Sequence, residues 1–387
     1  MKGLILLFAS LSLPIMNAQG NIYDVTYFGA IADDGKDDSL AFQSALAELN
    51  DDDTLMIPNG LYDICRTISL FSKRNISIIG AGKAELAKCD DFVGEYLLYI
   101  KHTTDLMISD VVFTGLNNGN SNQVWGEQGL YLASTKNSMI VNNEFYHFGD
   151  AALRITTSPD EGKYAVGSED IIVMKNKFQG CAQVTTTQAT KNTFVGGSND
   201  ISIIENQFVE CSLKLSSRTE VSNAKVINND FNNINGSAVE LSYYSDVLFE
   251  NNNLSNIDGF LLNIYPNSRS DRKVSWGGLR INNNQFSYSQ QGIRLQSYSD
   301  WEQATSPIEN ISITNNEFQV ITFDGVSNPQ YQTAIRTITK DERWSFSNVA
   351  IKNNSYRDEY TFLFIDKNVI DIDIEGNNSI PVEASID

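Results

Sequence analysis

Lys214, Arg154, His147, Tyr243 and Tyr265 are the side chains of this sequence best suited to moving a proton beside a carboxylate. Such chemistry has three requirements: a group that neutralises the carboxylate, a base that takes the neighbouring proton, and an acid for the leaving oxygen. Lysine, arginine, histidine, tyrosine, asparagine or a bound calcium ion can meet them. Lys214 is the expected base, because it stands centrally among basic and hydroxyl neighbours. Arg218, Arg154 and Arg294 are expected to hold carboxylates. Tyr243, Tyr244 and Tyr265 supply hydroxyls, and His147 is a proton carrier or a structural residue. Trp276, Trp301 and Trp344 lie among Arg269, Arg272, Lys273, Lys340 and Arg343, and Trp125 precedes Tyr131. Indole faces stack on sugar rings and arginine grips carboxylates through two bonds, so the set points to an anionic glycan.

These residues can act together only if the chain brings them to one face, and an internal repeat does so. The triplet Asn-x-(Phe/Leu/Tyr) begins at Asn143, Asn176, Asn206, Asn229, Asn252, Asn284, Asn316 and Asn354, with spacings of 33, 30, 23, 23, 32, 32 and 38 residues. A short apolar alternation precedes each triplet, as in Val247–Phe249, and another short strand follows about nine residues later. The units hold strands of period two and no helical pattern. A minimum unit of 23 residues suits one coil of a parallel β-solenoid. Asparagine at a fixed turn position fits, because it tolerates left-handed backbone and can bond its counterpart in the next coil.

The register assigns directions. The residue between the two inward positions of the later strand points out, giving the column Tyr99, Tyr131, Arg154, Thr185, Lys214, Glu240, Asn263, Arg294 and Arg336. The next outward position gives Lys101, Ala133, Thr156, Thr187, Ser216, Ser242, Tyr265 and Gln296. With coils ~4.8 Å apart these form two parallel ladders. Tyr131, Glu240, Asn263 and Arg294 on the ladder, and Arg218, Arg269, Trp276 and Trp301 in the turns beyond it, are the expected substrate-binding residues. Five residues after each repeat asparagine lie Phe148, Cys181, Cys211, Ile234, Ile257, Ser289 and Ile321, a column that should face inward. Cys181 and Cys211 are therefore expected as stacked free thiols in the core, with a bond between them the lesser alternative. Cys65 and Cys89 could pair.

Ahead of the repeats, Tyr23–Ala30 and Asp33-Asp34-Gly35-Lys36-Asp37-Asp38 lead into Ser39–Leu49, whose Leu40, Phe42, Ala45, Leu46 and Leu49 recur at helical spacing. Asp37 or Asp38 would cap that helix. Thr54–Tyr62 then reads as a strand and turn. This run resembles the opening segment of the pectate-lyase-like right-handed β-helix proteins, in which the helix plugs the open end of the coil. The resemblance implies an all-β, single-stranded right-handed parallel β-helix with an N-terminal capping helix, and action on polysaccharides. Within that group the pattern looks most like the alginate lyase and chondroitinase B type, where a lysine and an arginine on neighbouring coils transfer protons. Gly149-Asp150-Ala-Ala-Leu-Arg154 is similar to the stretch carrying that arginine, although its Arg-His-Gly ending is here Arg154-Ile155-Thr156. Calcium is the one cofactor the resemblance suggests, with Glu240 and Asn263 as oxygen candidates; none is required otherwise.

Composition narrows the partners. The formal charge is −20, from 48 acidic and 28 basic residues, which argues against a general nucleic-acid binder. Residues 1–18 read as a secretory signal: Lys2, an apolar run from Leu4 to Leu13, then Asn17 and Ala18 before Gln19. Secretion or a periplasmic location is expected, with residues 19–387 forming one β-helix domain, its cap over about 22–60. No membrane association is expected, and the protein is expected to be a monomer. The reading is a secreted lyase cleaving a uronic-acid polymer, alginate first, by β-elimination. The alternatives are a uronan C5-epimerase or glycoside hydrolase on the same fold, and a non-catalytic glycan-binding β-helix.

Overall fold

A computed structural model describes residues 20–117, 124–158, 166–186, 197–215, 221–242, 244–265, 277–288, 291–297, 308–320, 333–339, 345–357 and 361–380. All strand pairings between coils are parallel, and the chain winds as the expected right-handed parallel β-helix. Each complete coil has three strands, as in Val221–Ile227, Asp230–Asn235 and Val239–Leu241. Alternation puts Ala224, Val226, Phe231, Ile234, Val239 and Leu241 of this coil inside. Phe113, Phe145, Phe178, Phe208 and Phe231 stack through the interior with centroids 4.4–5.2 Å apart.

The amide-rich composition is explained by the bends. Asn223, Asn228 and Asn233 have φ of 52°, 58° and 57°, and Asp246, Asn251 and Asn256 repeat the pattern one coil later. Left-handed backbone costs least for glycine and for short side chains that bond locally. The repeat asparagines themselves line the core side of a turn, each buried from Asn143 to Asn354. Asn206 donates from its backbone N–H and from Nδ2 to Oδ1 of Asn229, at 2.9 and 3.0 Å, and Asn229 does the same to Asn252. The column continues through Asn354 to Asn377, one coil beyond the triplets read from sequence.

The N-terminal helix spans Ser39–Glu48 and buries Ala41, Phe42, Ala45 and Leu46, with Phe42 edge-on to Tyr62 at 5.3 Å. Leu40, expected on its inner face, is 65% exposed, because the buried arc is centred on Phe42 and Ala45. Of the two capping candidates, Asp37 bonds the helix start, accepting from the Ser39 N–H at 2.9 Å. The Asp38 carboxylate instead accepts the Ile31 N–H at 2.9 Å.

Phe148, Cys181, Cys211, Ile234 and Ile257 face inward as the register requires; Ser289 and Ile321 lie outside the described residues. The expectation of free thiols is corrected: Cys181 and Cys211 form a disulfide across adjacent coils, with Cα atoms 4.7 Å apart. Parallel stacking brings equivalent residues of successive coils within bonding reach. Cys65 and Cys89 are also joined. The Cys181–Cys211 link closes a separation of 30 residues. Replacing both Cys181 and Cys211 by serine is expected to lower stability by about 3–4 kcal/mol on loop-entropy grounds, read as an earlier urea midpoint.

Candidate functional site

The strand register reproduces the outer ladder residue by residue. Tyr99, Tyr131, Arg154, Thr185, Lys214, Glu240, Asn263, Arg294 and Arg336 pair in that order from coil to coil. Pointing outward does not make them equally accessible. Tyr131 and Thr185 have no exposed surface, and Arg154 and Asn263 are each 6% exposed. Lys214 and Glu240 stay open, with side chains 25% and 21% exposed, and their charged ends meet at 3.0 Å.

This pair lies in a cleft of about 720 Å³ running along several coils. One wall is the ladder, with Lys214 and Glu240, and beside them Gln183 two residues before Thr185. The other is the bend at the end of the second strand, where Glu210, Asn233 and Asn256 stack in left-handed backbone with φ of 51°, 57° and 54°. Beside them run Ser212, Asn235 and Asp258. Asn233 Nδ2 donates to Glu210 Oε1 at 2.8 Å on the exposed rim. Cys181 also lines the cleft, so the disulfide ties together two coils of its wall. Amides, hydroxyls and carboxylates spaced one coil apart suit hydrogen bonding to a chain of sugar hydroxyls.

Glu210 and Asp258 were missed by reading only the ladder. They stand four and six residues after the repeat asparagines Asn206 and Asn252. The same offset of four gives His147, Gly180, Asn233 and Asn256, so the Asn register contains the second wall once the turn is read as a column of its own.

Arg154 occupies a different environment. Its Nε donates to Gln128 Oε1 at 2.6 Å and its Nη2 to Asp150 Oδ1 at 3.1 Å. Asp150 also accepts from Gln183 Nε2 at 2.8 Å and from the Gly126 N–H at 3.2 Å. Beside this network Lys88, with a side chain 1% exposed, sits 3.1 Å from Glu127 and over the Phe92 ring. Burial pushes the Lys88 ammonium below its ordinary value, against the opposing pull of Glu127. This enclosure corrects the expectation that Arg154 reaches substrate: its network, through Asp150, joins three coils inside the wall. Arg154→Met is expected to cost about 3–5 kcal/mol by stranding the Asp150 charge, measured by chemical denaturation. It should leave the turnover of the folded fraction near that of the unmodified protein.

Tyr131 is likewise enclosed, its ring 4.3 Å from that of Tyr96 and 5.4 Å from that of Tyr99. Burial pushes the Tyr131 and Tyr96 phenols well above their usual range, so neither serves as a phenolate base, and Tyr131 cannot touch a sugar. Tyr244 is also fully buried. His147 stands in the turn column two coils from Glu210, outside the cleft lining, with Nδ1 buried. Farther along the ladder, Arg294 donates to Asn263 Oδ1 at 2.8 Å and lies against the rings of Phe260 and Tyr265. Trp125 is 74% exposed. Tyr243, Arg218, Arg269, Arg272, Lys273, Trp276, Trp301, Lys340, Arg343 and Trp344 lie outside the described residues. The two oxygen candidates for calcium are engaged by cations: Glu240 contacts Lys214 at 3.0 Å and Asn263 Oδ1 accepts from Arg294 at 2.8 Å.

The fold defines the class: a right-handed parallel β-helix, here with a cleft along its side. No protein-family model matches the sequence, and no curated protein matches it. Among solved structures the chain is similar to the surface protein and adhesin PfbA of Streptococcus pneumoniae, at 16% identity. That alignment covers 93% of this chain and 97% of the other, with a TM-score of 0.65. A second structure of PfbA gives 15% identity over 94% and 93% of the two chains, with a TM-score of 0.68. A hyperthermoactive exopolygalacturonase from Thermotoga maritima gives 12% identity, 92% coverage of both chains and a TM-score of 0.58. At these identities the likeness is one of fold.

Proposed function

We propose that the cleft takes a uronic-acid-containing polysaccharide and cleaves it by β-elimination, with Lys214 and Glu240 as the reacting pair. The observation that carries this reading is the 3.0 Å contact between them, in the stretch of the ladder that opens on the cleft between buried Thr185 and Asn263. Lys214 is the one cation among the described residues lining the cleft, and the base the chemistry needs. To act as a base it must first give up a proton, and Glu240 is within reach to accept it. Neutral Lys214 then takes the C5 proton, the C4–O bond breaks, and a C4–C5 double bond forms. The proton held by Lys214 passes to the departing oxygen, so no other reactant is consumed.

Alginate is the first polymer to assay, followed by pectate and glycosaminoglycans. The expected result is a growing absorbance from the unsaturated uronate end of each new chain. A second reading rests on Glu210, Glu240 and Asp258 sharing one cleft: hydrolysis by a pair of carboxylates. It would yield new reducing ends without unsaturation. Inversion at C5 without cleavage, seen by NMR, would mean an epimerase, and retention of polymer without either product would mean a binding protein.

A further inference from the structure

Trp125 is 74% exposed, yet the backbone that carries it is held on both sides. It belongs to the bend between the strands Met107–Thr114 and Gln128–Ala133. The Val124 N–H donates to the Gly149 carbonyl at 2.7 Å, and the Glu127 N–H returns to the Val124 carbonyl at 3.2 Å. Between them the Gly126 N–H donates to Asp150 Oδ2 at 3.2 Å, with Gly126 at φ of 86°. The Glu127 carboxylate meets buried Lys88 at 3.1 Å and accepts the Gly149 N–H. A buried ion pair regains little beyond its own desolvation, so stability alone is a weak reason for it. Here Asp150 bonds the turn and Glu127 is part of it, so the buried charges fasten the backbone around an indole left in solvent. A side chain so exposed adds little to folding, whereas one presented on a fixed backbone binds a partner without first losing much freedom.

The position of this turn shows what partner it fits. Strand pairing carries the end of the second strand from Thr114 to Tyr146, Gln179 and Val209. The bends that follow are residues 115–127, 147–150, 180–182 and 210–212, and the last two line the cleft. Trp125 therefore lies on the line of the far wall, two coils before Gly180. Along the ladder its coil is three before that of Lys214, ~14 Å at the spacing of parallel strands. Toward the cleft the turn rests directly on the next coil: a Cβ at Gly149 would come within 2.7 Å of Val124 Cβ. On its other side stands exposed Glu95, whose side chain would lie 3.6–3.8 Å from a Cβ at Gly126.

Building on the reading of the cleft as a uronan site, we propose that Trp125 is an outlying subsite of it. The indole stacks on the C–H face of a sugar ring three coils from Lys214, and Glu95 accepts a hydrogen bond from a hydroxyl of that ring. The polymer then runs along the helix axis, over the far wall, from Lys214 toward the N-terminal cap. Such a contact is made equally before and during bond breaking, so it strengthens binding of long chains and leaves the chemical step alone.

The test compares the full-length protein with Trp125→Ala on alginate and polygalacturonate, and on trisaccharides of each, which end short of Trp125 when bound at Lys214. Trp125→Ala is expected to raise KM for the polymers about three- to tenfold, the range of a single aromatic contact. Its kcat, its thermal unfolding and its turnover of trisaccharides should match those of the unmodified protein. Migration through native gels cast with each polymer reads binding without turnover, and the variant should be retarded less. Unchanged KM and unchanged migration would overturn the subsite and leave β-elimination standing. An equal loss on polymer and trisaccharide would also overturn it, because the indole would then act at the reacting centre or through the fold. Reduced retardation of Trp125→Ala, with no unsaturated product from either polymer, would uphold the sugar contact and overturn the elimination reading.

Discussion

Lys214→Met is expected to reduce formation of unsaturated product by about 10²–10⁴-fold, the usual contribution of a positioned proton-transfer group. Methionine keeps an unbranched stem of similar length, so the packing of the ladder is largely preserved while the amine is lost. The substitution leaves Glu240 without its 3.0 Å partner, and part of any loss could reflect a displaced carboxylate. Lys214→Met with Glu240→Gln separates the two effects. If Lys214 transfers the proton, the double variant stays as inactive as the single one. If Lys214 only neutralises Glu240, the double variant recovers. Full activity of the single variant, with unchanged thermal unfolding, would remove Lys214 from the reaction.

The second large effect concerns the fold. Asn229→Ala removes five hydrogen bonds at once. Nδ2 donates to the carbonyls of Ile203 and Ile227 at 2.9 and 3.1 Å and to Asn252 Oδ1 at 3.0 Å. Oδ1 accepts from the backbone N–H and Nδ2 of Asn206 at 2.9 and 3.0 Å. Asn229 is 2% exposed, so water does not readily replace the lost partners. The buried N–H of Asn206 is left without an acceptor. A loss of about 3–5 kcal/mol follows, because stranded buried groups cost more than a mean hydrogen bond contributes. Asn223→Ala is the comparison. Asn223 is exposed, and its replacement mainly forces alanine into φ near 52°, costing about 1–2 kcal/mol. Urea midpoints of the two variants measure the difference. Equal effects would mean that backbone conformation, and not the buried ladder, supplies the stability. Because coils contact chiefly their neighbours, hydrogen exchange in Asn229→Ala should rise most in the coils holding Asn206 and Asn252.

The two effects differ in how far each was legible beforehand. The Asn ladder could be read because the interval between asparagines and the alternation within each strand are both local properties of the chain. Together they fixed the coil, the inward faces and the order of the outer ladder from Tyr99 to Arg336. Cys181 and Cys211 fall in the core column as the register requires, but the bond between them stood only as the lesser alternative. Sequence spacing gives the alignment of two residues, whereas bond formation depends on the approach of their side chains. Leu40 shows a smaller failure of the same sort: helical spacing admits it to the apolar arc, and the seat of the helix on the first coil excludes it.

Arg154 and Lys214 mark the limit most clearly. Both are cations, two coils apart in one outward column, and by sequence their prospects looked alike. Gln128 and Asp150 enclose Arg154, while Lys214 faces an open cleft. The far wall of that cleft, with Glu210 and Asp258, also came from another column. Sequence by itself determined the solenoid, its register and which side chains point away from the core. Only the tertiary structure decided which of those side chains solvent can reach and what charge surrounds them. Direction follows from alternation along one strand, but accessibility and local field are sums over neighbours contributed by several coils.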